Sequence, residues 1–284
     1  MKKMKIGLID YFLDQYHADN YPKWIKKASD GQLEVTCAYA KTDKPGGKTN
    51  AAFCREQGIT LLPDIASVID RSDCLIVMSP DNPEMHEELC RLPLGSGKPT
   101  YVDKAFAPDS AAAARLIAVA QGSGTPFFSS SALRFAKEYT ALERNGIESV
   151  HSRGPGSFDN YGIHQIEPIV SLLGHDVRKI MYIGTKNTPA FVMRFRDGRC
   201  AAMSQLGWEC GFGMAVNYDD GHAALPQAES DFYAQFILKM VEFFKDGIPK
   251  VAAQETLGVI TILEYGKKAM QTPDIWIDIP KSPV

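Results

Sequence analysis

Between Ile6 and Ser129 the chain sets short, continuous apolar runs against longer amphipathic stretches. Continuous runs of roughly four to eight residues mark strands buried on both faces, as in a parallel sheet covered by helices. The pattern predicts strands at Ile6 to Ile9, Leu33 to Ala40, Cys74 to Met78, Pro99 to Asp103 and Pro126 to Ser129. Helices are predicted between them: Tyr16 to Ser29, ended by Asp30-Gly31; Ala51 to Gln57, stopped by Gly58; Ile65 to Ile69; Glu84 to Leu92; and Ala111 to Ala120, capped by Asp109-Ser110. This alternation predicts an α/β domain over residues 1–131, a doubly wound parallel sheet of the Rossmann-like kind.

Beyond Ser131 the texture changes. Leu133 to Arg144 and Gly162 to Leu173 read as helices, and then strand-like runs follow one another without helices between them: Val177 to Gly184, Ala190 to Arg196, Cys200 to Gly207 and Met214 to Tyr218. Asp197-Gly198 reads as a hairpin turn. Phe232 to Phe244 and Thr256 to Met270 are amphipathic helices suited to covering a sheet face. Residues 132–284 are therefore expected to form an α+β domain with a predominantly antiparallel sheet.

Composition narrows the partners. A formal net charge of -3 and 23% charged residues give no general attraction to phosphate backbones or anionic lipid, so neither nucleic acid nor a membrane is expected as a partner. Six cysteines without a C-x-x-C pair read as buried free thiols, which fits a cytoplasmic setting. His151, His164, His175 and His222 show no metal-ligand spacing, so no metal is expected. Ser129-Ser130-Ser131 lacks the flanking glycines of a nucleophile elbow.

The chemistry-bearing stretch is Tyr101-Val102-Asp103-Lys104-Ala105, which delivers Lys104 to the end of a buried strand. In open α/β sheets ligands bind at that edge. Four separated segments then resemble one family. Asp73 to Pro80 followed by His86, Gly97 to Ala105, Arg134, and Gly162-Ile163-His164-Gln165-Ile166-Glu167 followed by Gly174 fall in the order of the glucose-fructose oxidoreductase, inositol dehydrogenase and rhizopine-catabolism family. The resemblance implies an NAD(P)-dependent oxidoreductase, a dehydrogenase of a sugar, cyclitol or related polyol, working as a homo-oligomer on a small-molecule substrate. Lys104 and His164 match the catalytic positions, where the imidazole takes the hydroxyl proton and the ammonium steadies the oxyanion. Asn160 stands where the family has an acid, and can orient His164 without balancing its charge. The same resemblance points to Gly7, Ile9, Asp10, Ser79, Pro80, Asp103 and Lys104 as cofactor-binding residues, and to Arg134 and Asp159 as substrate-binding ones.

The departures are specific. A dinucleotide turn uses G-x-G-x-x-G so that backbone amides at a helix start can face the pyrophosphate. Here the turn reads Gly7-Leu8-Ile9-Asp10-Tyr11-Phe12-Leu13-Asp14, with Asp10 at the first fingerprint glycine and Phe12 near the second. An aspartate there is expected to cap the helix and to repel a diphosphate. After the second strand, Lys41 replaces the acid that bonds a ribose hydroxyl, and Ala105 replaces the motif proline. Tyr11, Phe12, Tyr16 and His17 are expected mainly to pack the first helix, and Trp208 to pack in the sheet region. The alternative reading is a redox-inactive relative that binds or senses a sugar-like ligand without a dinucleotide.

Overall fold

The computed structural model describes residues 3–79 and 82–281. The chain divides into two compact units, one of residues 1–130 with 237–253, the other of residues 131–236 with 254–284. The first break lies between Ser130 and Ser131, and residues 237–253 pack with the first unit.

In the first unit six strands, β1 (Met4–Asp10), β2 (Leu33–Ala40), β3 (Thr60–Leu61), β4 (Cys74–Val77), β5 (Thr100–Val102) and β6 (Phe127–Phe128), pair in parallel in the order β3-β2-β1-β4-β5-β6. The helices α1 (Tyr16–Ala28), α2 (Asn50–Gln57), α3 (Ile65–Arg71), α4 (His86–Leu94) and α5 (Ser110–Ser123) cross between them. All four residues of β4 and all three of β5 are buried, which explains the unbroken apolar run of β4. The order reverses between β1 and β4, and a crevice outside the carboxyl ends of strands at such a switch point is where this architecture binds ligands.

Gly7 lies within β1 under α3. A Cβ there would sit 2.5 Å from Ser72 Oγ and equally tight against Val68, so the glycine serves helix-sheet packing. Gly7→Ala is expected to lower stability by about 1–3 kcal/mol through overpacking, measured as a drop in the urea midpoint.

The second unit begins with a 3-10 turn (Ala132–Phe135) and short α6 (Lys137–Thr140) in place of the single helix expected from Leu133 to Arg144. Ala136 between them is extended (φ -54°, ψ 133°), which ends the turn. Its seven-stranded sheet runs β12-β11-β7-β10-β9-β8-β13, from β7 (Ile147–Pro155), β8 (Val177–Tyr182), β9 (Ala190–Phe195), β10 (Cys200–Leu206), β11 (Gly213–Tyr218), β12 (Ala223–Ala224) and β13 (Ile277–Asp278). The sheet is mixed, because β7 and β10 run parallel while the other pairs are antiparallel. Gly198 (φ 97°) turns β9 into β10 where the Asp197-Gly198 hairpin was expected. Helix α7 (Phe158–Leu173) is apolar along most of its length and buried, and α9 (Ala253–Ala269) also packs in this unit apart from its first residue. Helix α8 (Phe232–Asp246) starts in the second unit and continues into the first, where Phe243 meets Phe128 edge-on at 5.0 Å. Among the described residues no helix is long and apolar enough to cross a membrane, and all six cysteines are free.

Candidate functional site

At the carboxyl edge of the parallel sheet the strand ends place three groups side by side. β1 ends on Asp10, β4 leads through Met78 into Ser79, and β5 leads into Asp103 and Lys104. Asp103 is 1% exposed and surrounded by donors. His17 Nδ1 lies 3.0 Å from its Oδ2, the Tyr101 hydroxyl donates to its Oδ1 at 3.1 Å, and the Tyr21 hydroxyl approaches the same oxygen at 3.4 Å. The Tyr21 ring also stacks on the His17 ring at 4.9 Å and 7°. Burial by itself would raise the Asp103 carboxyl. The close contact with the His17 ring, and after it the Lys104 ammonium, outweigh it and hold the group well below the ordinary carboxylate range. Lys104 is half-buried beside it, and the Lys104–Ala105 peptide is cis although no proline stands there.

Asp10 behaves oppositely. It is 1% exposed, and burial pushes its carboxyl up to about 8, helped by the nearby Asp103 charge and opposed by hydrogen bonds from Gln15 and from the Tyr11 and Phe12 amides. Near neutral pH the group is therefore mostly uncharged, so the repulsion of a diphosphate expected from sequence is not what distinguishes this turn. Nor does Asp10 cap α1; Gln15 does, accepting from the His17 amide at 2.7 Å.

What distinguishes the turn is that four of its amides are already engaged. Tyr11 N donates to Asp10 Oδ1, Leu13 N to Asn50 Oδ1, Gln15 N to the Leu13 carbonyl and His17 N to Gln15 Oε1. A glycine-rich turn leaves such donors for a pyrophosphate. These residues do not fit a dinucleotide seated in the ordinary way on the start of α1.

The remaining first-unit residues have mixed positions. Gly7 and Ile9 lie inside the core. Ser79 is buried at φ 150°, its hydroxyl donating to the Asn82 carbonyl, and sparsely populated backbone of this kind clusters at functional sites. Pro80 lies outside the described residues. Lys41 is ion-paired with Glu88. His86 is fully buried, Nδ1 against the Phe106 carbonyl at 3.2 Å and Nε2 without a partner, and burial keeps the ring neutral by pulling its pKa down.

In the second unit His164 sits on α7 with Nδ1 2.7 Å from Ser131 Oγ, a partner that sequence did not suggest. An aromatic group surrounds it: Tyr161 at 5.3 Å and Phe212 at 5.9 Å, with Trp208 edge-on to Tyr161 at 5.0 Å. Trp208 is 68% exposed on the loop after β10, not packed in the sheet. Gly156 (φ 83°) lets the chain pass beneath, since a Cβ there would meet the Tyr161 ring at 2.8 Å. Asn160 lies one helical turn before His164 and is exposed. Asp159 is exposed as well, 3.6 Å from Lys267. Arg134 is 8% exposed and its guanidinium is engaged by two carboxylates, Glu167 at 3.0 Å and Glu255. An arginine so held serves the interior of its unit before any anionic substrate.

No family model and no curated protein sequence matches the chain. Solved structures do, over nearly its whole length. GenD2 from gentamicin A biosynthesis, in complex with NAD, superposes with a TM-score of 0.81 at 12% identity, covering 99% of this chain and 97% of that one. This chain shares the fold of that protein. The apo scyllo-inositol dehydrogenase from Lactobacillus casei gives 0.76 at 15% identity over 98% of both chains. An oxidoreductase from Agrobacterium radiobacter, in complex with NAD+, L-tartaric acid and magnesium, gives 0.75 at 11% identity over 98% of both.

Proposed function

We propose that this chain is an NAD(P)-dependent oxidoreductase acting on a hydroxyl of a sugar, cyclitol or related polyol. The observation that carries the reading is Lys104, half-buried at the carboxyl end of β5 beside an ionised, buried Asp103, in a fold shared end to end with NAD-binding dehydrogenases. In this reading Lys104 steadies negative charge on the reacting oxygen. His164, its Nδ1 tied to Ser131, accepts the hydroxyl proton at the other ring nitrogen. The exposed Trp208 beside Tyr161 suits the apolar face of a sugar or cyclitol ring. Because the amides of the α1 turn are engaged, the diphosphate of the cofactor is held elsewhere than on that helix start.

That same engagement favours a second reading, a redox-inactive protein that binds a sugar-like ligand without a dinucleotide. Titration with NAD(H) and NADP(H), followed by thermal shift, separates the two. Saturation about a hundredfold above the dissociation constant is expected to add about 2.7 kcal/mol of stability. With a turned-over polyol in hand, Lys104→Ala and His164→Ala are each expected to lower kcat by about a hundredfold or more with cofactor affinity retained. Absence of binding at millimolar dinucleotide would reject the oxidoreductase reading.

A further inference from the structure

We propose that His17 and Asp103 form a second proton-accepting pair, at the carboxyl edge of the first unit's sheet, whose ligand is a neutral hydroxyl compound received at His17 Nε2. A carboxylate can only accept, so the 3.0 Å contact fixes the proton of the neutral ring on Nδ1 and leaves the lone pair on Nε2. That arrangement orients an imidazole as a base. The ring is held on three sides: Asp103 at Nδ1, the parallel Tyr21 ring at 4.9 Å, and the edge of Tyr16 at 5.7 Å. About a tenth of the side chain stays exposed, whereas His86 is fully buried. The pair is thus held at one nitrogen with part of the ring open to solvent.

Its place agrees with a ligand role. His17 lies in the first turn of α1, and Asp103 directly follows β5, on the ligand-binding edge of the sheet. In the step proposed, the ligand O–H bond breaks and an N–H bond forms at Nε2. The electron pair stays on the ligand oxygen, and Asp103 balances the imidazolium.

The inference does not rest on the oxidoreductase reading, and its test uses no dinucleotide. The full chain is treated with diethyl pyrocarbonate, which attacks accessible neutral imidazole nitrogens, and each site is followed by mass spectrometry with and without a mixture of myo-inositol, sorbitol and glucose. His17 is expected to react at least about tenfold faster than the enclosed His86, and the polyol mixture is expected to slow it about threefold or more while leaving the exposed His151 and His222 unchanged. Nitrogen NMR of the neutral ring is expected to show the proton on Nδ1. Reaction as slow as at His86, no protection by the mixture, or a proton on Nε2 would each overturn the proposal. Protection at His17 without dinucleotide binding would remove the oxidoreductase reading and leave the pair standing.

Discussion

Asp103→Ala is expected to lower the stability of the protein by about 3–5 kcal/mol, the range for removing one partner of a buried ion pair. The carboxylate is 1% exposed and accepts from His17, Tyr101 and Tyr21. Its deletion strands a buried imidazole N–H and takes one acceptor from the Tyr101 hydroxyl, which keeps the Ser130 carbonyl at 3.1 Å, and these losses, rather than lost Coulomb attraction, set the size of the effect. Asp103→Asn keeps an acceptor in place and is expected to lose only about 1–2 kcal/mol. Both are read as shifts of the denaturant midpoint at unchanged slope. A loss below about 1 kcal/mol for the alanine variant would show that the cluster does not hold this edge of the sheet. The pH dependence has a definite sign. Asp103 titrates lower folded than unfolded, so its contribution is complete above the unfolded carboxyl value, near 4, and is lost as pH falls toward the folded one.

The doubly wound half of the fold was legible because its strands are buried on both faces, and Cys74 to Val77 is accordingly apolar at every position. The second sheet was less legible at its centre. β7 buries Ser152 and Gly154 alongside Ile147 and Val150, so no apolar alternation announces it, and without it the parallel β7–β10 pairing could not be foreseen. The helix expected from Leu133 to Arg144 has helical spacing, but Arg134 is drawn inside by Glu167 and Glu255 and the chain extends at Ala136. At the site, Lys104 was legible as a lysine at a strand end. The His17–Asp103 contact was not, because 86 residues separate the partners and His17 belongs to no motif that would pair it with Asp103. The engaged turn was half legible: missing glycines predict an altered phosphate seat, but only the fold reveals that Asn50 and Gln15 supply the acceptors.

The charge state of Asp10 lies beyond any sequence pattern, since it depends on burial, and it leads to the second large effect: between about pH 4 and pH 8 Asp10 is expected to make the protein less stable as pH rises. Its carboxyl titrates at 3.8 in the reference state and at about 8 in the fold. Across that window the folded state holds a proton that the unfolded state has released, so raising pH favours unfolding. The linkage relation bounds the loss at roughly 6 kcal/mol, and relaxation of the turn around the ionised group brings it to the order of a few. In Asp10→Asn the group cannot ionise, and this part of the pH dependence is expected to vanish. The variant is less stable than the wild type at low pH, where it disturbs the Gln15 and Tyr11 hydrogen bonds, and gains on it as pH rises. The two acids are also coupled, because the Asp103 charge is one of the causes that raise Asp10. Asp103→Asn is accordingly expected to lower the Asp10 titration, followed through its carboxyl carbon by NMR. Parallel stability–pH curves for wild type and Asp10→Asn would mean that Asp10 is ionised in the fold, and would restore at the α1 turn the negative charge that its burial otherwise removes.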